Sequence, residues 1–103
     1  MAEQVTKKSE RKPQIGDDVL YSLGDASANR GEARAAKIVY VHDLSAKSAD
    51  DQARNPGLVN IAVFIGRDND FPAQKDHPER AIWPLKGITF DASKKMGTWH
   101  YKD

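Results

Sequence analysis

The most constraining stretch of this chain is Leu58 to Ile65, LVNIAVFI. Val59, Ile61, Val63 and Ile65 fall on one side at a spacing of two, and Leu58, Asn60, Ala62 and Phe64 fall on the other. Eight residues rich in β-branched side chains, bounded by Gly57 and Gly66, read as a strand. Apolar content on both sides predicts a central strand, partly covered on each face.

The rest of the chain repeats the theme in shorter pieces. Val19, Tyr21 and Leu23 alternate with more polar neighbours and predict a half-buried strand over 18–23. Ala33 to His42 contains the run Ile38-Val39-Tyr40-Val41. Its leading alanines favour helix, but the run lacks helical periodicity, so a strand is expected. Arg80 to Phe90 is apolar but interrupted by Pro84 and Gly87. A proline cannot donate to a ladder, so this piece belongs at an edge or a bulge. Residues 98–101 supply the last strand, with Lys94-Lys95-Met96-Gly97 as a turn before it.

Between these pieces lie polar loops. Gly24 to Glu32 carries glycines suited to unusual backbone angles. In Asp43 to Gly57, Ser48 followed three residues later by Asp51 can cap a short helical turn, which Asn55-Pro56-Gly57 then stops. This insert has too little apolar content to pack a core face. The expected fold is all-β, a small five-stranded antiparallel barrel of the SH3-like type, with an OB-like barrel as the alternative. Val19, Tyr21, Ile38, Val59, Ile61, Val63 and Trp99 are its expected core.

Two regions are expected: a disordered basic arm over 1–14 and one small barrel over 15–103. The arm has little apolar content, and Lys7, Lys8, Arg11 and Lys12 outnumber its acids. These four are the candidate nucleic-acid contacts. The whole chain is nearly neutral, with 16 Lys and Arg against 15 Asp and Glu. A global electrostatic field for nucleic acid is therefore not expected.

There is no cysteine, which excludes disulfides and thiol chemistry. The longest apolar run is too short to span a membrane, and the first residues lack the layout of a signal peptide. A reducing cytoplasm is the expected location, and a virion particle fits as well.

Candidate chemistry is sparse. His42, His77 and His100 lack metal-ligand spacing, and each is expected to be a structural histidine, satisfied or exposed. In strand geometry His100 points away from Trp99 and Tyr101. No nucleophile elbow or phosphate-cradling loop occurs. Asp68, Asp70, Asp76 and Glu79 match four positions of a calcium-binding loop. Pro72 and Ala73 stand where a ligand and the turn glycine are required, so a solvated loop is the expectation. No enzyme, metal or cofactor is expected. Trp83 and Phe71 are the candidate partner-contact surface. Gly97, Thr98, Trp99 and His100 form a terminal motif whose role is expected to be structural.

That motif also carries a resemblance. Gly97-Thr98-Trp99-His100-Tyr101 is similar to the closing Gly-Thr-Trp-His-Trp motif of a group of small proteins from tailed phages and prophages. Ile15-Gly16-Asp17, Arg34 to Val39, and Val59 to Phe64 resemble other segments of the same group. Here Tyr101 replaces the second Trp, and Lys102-Asp103 replaces the usual Pro-Glu. The resemblance implies a phage or prophage origin and no assigned activity. It points to a non-enzymatic interaction module, either a virion or assembly component or a binder of a host factor. A nucleic-acid-binding small barrel, using the basic arm and exposed aromatics, is the alternative.

Overall fold

The computed structural model describes residues 12–102. Five strands form one antiparallel sheet: β1 (Asp18–Ser22), β2 (Ala33–Val41), β3 (Val59–Phe64), β4 (Ile82–Ile88) and β5 (Trp99–Tyr101). Their spatial order is β4-β3-β2-β1-β5. The first four form a meander, and the fifth returns to lie beside the first. The all-β expectation holds, and every predicted strand lies within two residues of its observed limits.

The sheet does not close into a barrel, which corrects both the SH3-like and the OB-like expectation. Closure requires the outermost strands to pair along their length. Here β5 has three residues, and among the described residues one parallel bridge, Phe90 to Trp99, joins it to the chain after β4. The amide of Trp99 donates to the carbonyl of Thr89, and that of Asp91 to the carbonyl of Trp99, both at 3.0 Å.

The period-two pattern decides which face is buried. Val19 and Tyr21 pair with Tyr101 and Trp99, Ala36 with Val63, and Ile38 with Ile61. All of these side chains are buried, as are Leu23 and Val59. All the expected core residues lie in this one cluster. The opposite face of β3 is partly covered, as expected: Asn60 and Ala62 are half-buried, while Phe64 is 41% exposed.

Pro84 sits on β4, an edge strand, as expected. The amide of Ile65 donates to the carbonyl of Ala81, and the register continues through Val63–Trp83 and Ala62–Pro84. Antiparallel pairs alternate between bonded and non-bonded, so Pro84 falls on a non-bonded pair. Its missing N–H therefore faces outward, where it removes no bond from the ladder and denies a donor to an added strand.

The expected helical turn is α1 (Ala49–Arg54), whose N-cap Ser48 accepts a bond from the amide of Asp51 at 3.1 Å. A short 3-10 helix over Pro72–Asp76 was not expected. Gln74 fixes its start by accepting from the amide of Phe71 and donating to the carbonyl of Arg67.

Candidate interaction cleft

Trp99, from the terminal motif, and Tyr101 lie at the floor of a cleft. Trp99 is 1% exposed. Its indole N–H donates to the carbonyl of Gly57 at 2.8 Å, across 42 residues of sequence. Phe90 meets Trp99 edge-on with ring centroids 4.9 Å apart, and Tyr101 meets it edge-on at 5.0 Å. Aromatic pairs favour such edge contacts, each adding about 0.5–1.5 kcal/mol beyond burial.

Gly57 permits this assembly. Its φ is +59°, and a Cβ there would stand 2.7 Å from the Cβ of Phe90 and 3.1 Å from the Trp99 ring. The neighbouring carbonyl of Pro56 accepts from the amide of Phe90 at 2.8 Å. Lys12 and Pro13 also line this open cleft, whose volume is about 250 Å³. The cleft is thus aromatic and proline-lined, with one cation at its rim.

A second constellation fastens two loops together. Asp70 is fully buried. Its carboxylate accepts from Nε and a terminal nitrogen of Arg34 at 2.7 and 2.9 Å, and from Asn29 at 2.7 Å. The amides of Gly66 and Arg67 complete the set at 2.9 and 3.1 Å. Burial raises the pKa of this carboxyl, but the bonds from Arg34, Asn29 and the two amides outweigh it. They hold Asp70 well below the usual carboxylate range. Glu32 extends the network, meeting Arg34 and Arg67 at 2.8 Å each.

This accounts for Asp70 without a cation. Its oxygens are occupied by five donors, while Asp68, Asp76 and Glu79 are exposed. Among the described residues, no group of three His, Asp or Glu is placed to hold a metal. His100 is buried at 3% exposure, with Nδ1 lacking a hydrogen-bond partner. It is therefore neither satisfied at that atom nor exposed, unlike the structural histidine expected. Burial, aided by nearby Lys94, pushes its pKa down. As expected, its side chain points away from those of Trp99 and Tyr101.

Other sequence candidates fall elsewhere. Phe71 lies in the core rather than on the surface. Trp83 is half-buried, stacked on Phe71 at 5.3 Å, with the Arg80 guanidinium 5.3 Å from its centroid. Lys12 lines the cleft, whereas Lys7, Lys8 and Arg11 lie outside the described residues. Gly97 takes a φ of +83°, and Thr98 donates its hydroxyl to the carbonyl of Lys95. Sequence reasoning missed Pro56, Gly57 and Phe90 as cleft residues, because Asn55-Pro56-Gly57 signalled only a helix stop. It also missed the partnership of Arg34 with Asp70, which no local pattern announces.

No helix among the described residues is long and apolar enough to cross a membrane. Comparison with family models, curated proteins and solved structures gives no match.

Proposed function

We propose that this chain is a non-enzymatic phage or prophage interaction module. It acts as a virion or assembly component or as a binder of a host factor. The cleft over Trp99 holds an extended segment of its protein partner. The observation that carries this reading is the aromatic and proline lining over a floor fixed by the bond from the Trp99 indole to the carbonyl of Gly57. Such surfaces suit extended, proline-containing chain, which loses little entropy on docking. Selection from a random peptide library displayed on a surface tests it. Selected peptides should shift the NMR signals of the Trp99 indole N–H, Gly57 and Phe90. The exposed-rim variant Pro56→Glu should lose them. Failure to enrich any peptide, or shifts confined to other surfaces, refutes the reading.

Lys12 at the rim supports a second reading, a nucleic-acid-binding small β domain in which a base stacks on the half-buried Phe90 ring of the cleft. Single-stranded oligonucleotides would then bind with an affinity that falls steeply with salt, whereas peptide binding would change little.

A further inference from the structure

The inner face of β1 carries one polar group without a partner. Period-two alternation sets Tyr21 between the buried apolar side chains of Val19 and Leu23. Tyr21 is 6% exposed, and among the described residues nothing bonds to its hydroxyl. Buried polar groups are almost always paired. The hydroxyl lies beside Gly24, where a Cβ would stand 3.8 Å from its oxygen. Tyr21 and Gly24 line an open cavity of about 100 Å³, with Phe71, Pro72 and Leu85 among its other walls. Burial pushes the phenol pKa up, so the hydroxyl keeps its proton through the neutral range.

We propose that this cavity seats a proline of a protein partner, with the Tyr21 hydroxyl donating to the carbonyl that precedes the ring. The donors and acceptors of the lining select proline. Two further polar side chains border the cavity, Ser27 and Asp70, and both are fully engaged. Ser27 accepts from the amide of Asn29 at 2.9 Å and donates to the carbonyl of Asn69 at 3.2 Å. The Asp70 carboxylate holds its five donors. The lining side chains therefore offer one free donor. An ordinary peptide unit brings an N–H with its carbonyl and would bury that N–H unpaired, at a cost. A unit ending in proline brings the carbonyl alone. Size narrows the choice further. An apolar cavity of about 150 Å³ takes benzene, so this smaller one takes a five-membered aliphatic ring and excludes an aromatic one.

The walls are set before any ligand arrives. Asn69, at a φ of +68°, turns its carbonyl to the amide of Ala28 at 3.3 Å as well as to the Ser27 hydroxyl. Asp70 joins the same two loops through its bond from Asn29 at 2.7 Å. Phe71 is stacked on Trp83 of β4. A rigid proline meeting fixed walls loses little freedom on either side. The cavity shares no lining residue with the cleft over Trp99. The inference therefore stands whether or not that cleft holds peptide.

The test titrates N-acetylproline N-methylamide into the isotope-labelled full chain, with N-acetylalanine N-methylamide as the control. The proline compound should shift the NMR signals of Gly24, Phe71 and Leu85 and saturate in the millimolar range expected of so small a ligand. The alanine compound should bind at least fivefold more weakly. Tyr21→Phe removes a hydroxyl that holds no bond within the protein, so its thermal unfolding should match wild type. Its affinity for the proline compound should fall about fivefold, the net worth of one hydrogen bond. Gly24→Ala is the second variant and decides the matter if Tyr21→Phe does not fold. Its added methyl meets no heavy atom closer than 3.8 Å, yet it stands against the hydroxyl, so binding should weaken by a similar factor. Equal binding of the two compounds overturns the inference, as does an affinity that both variants leave unchanged. Shifts confined to Gly57, Phe90 and Trp99 also overturn it, while leaving the reading of that cleft intact.

Discussion

Replacing Asp70 with Ala should bring this protein to the edge of unfolding. The substitution removes one carboxylate but strands five donors: two on Arg34, one on Asn29, and the amides of Gly66 and Arg67. The Arg34 side chain is 11% exposed, so water cannot fully replace the lost partner. Breaking a buried ion pair from one side costs about 3–5 kcal/mol. A domain of this size holds about 5–15 kcal/mol in total. Arg34→Met breaks the same pair from the other side and leaves the fully buried Asp70 carboxylate with Asn29 and two amides, so a similar cost of about 3–5 kcal/mol is expected. Urea unfolding followed by tryptophan fluorescence measures both, and a double-mutant cycle isolates the coupling. A cost below about 1 kcal/mol for Asp70→Ala would refute the claim that this carboxylate pins the loops. The acid limb adds a check. The depressed pKa of Asp70 contributes stability that is present above the ordinary Asp value and lost as pH falls toward the folded value.

Three further outcomes are expected. Trp99→Ala should lose about 3–5 kcal/mol, because it empties the cleft floor; a variant of native stability that fails only in binding would make the residue functional instead. Gly57→Ala should cost about 1–3 kcal/mol, since its φ is +59° and the added Cβ would meet Phe90, and thermal unfolding would report it. Wild type should lose stability as pH falls below the ordinary histidine range, because the unfolded chain binds a proton that buried His100 resists; His100→Leu should flatten that slope in urea titrations between pH 7 and 5, values set by the histidine range, and an unchanged slope would exclude His100 as the source.

The strands were legible because their signal is local. Val59, Ile61 and Val63 alternate within a few residues, and the core face follows from that alternation alone. The failure to close was not legible, because it depends on how far β5 runs beside residues 89–91. The cleft was half legible. Trp99 announced itself as a buried aromatic, but its partners Gly57 and Phe90 come from distant segments with other apparent roles. Asp70 was misleading in isolation: its spacing to Asp68 and Asp76 invoked a cation, while the charge that satisfies it arrives from Arg34 across the fold. His100 was placed on the correct side of β5, but its burial depends on the packing of loops that no periodicity reveals.

The place of β5 beside β1 has a consequence for biosynthesis. Val19 and Tyr21 emerge from the ribosome early, yet the strand that covers one flank of them is residues 99–101. At about 5–20 residues per second, β1 waits several seconds with an unpaired edge. The hairpins of β1 to β4 can assemble in that interval, being local, but the aromatic floor cannot. A nascent chain stalled before Trp99 therefore offers open apolar surface to chaperones, and the last cooperative step of folding waits for residues 99–101.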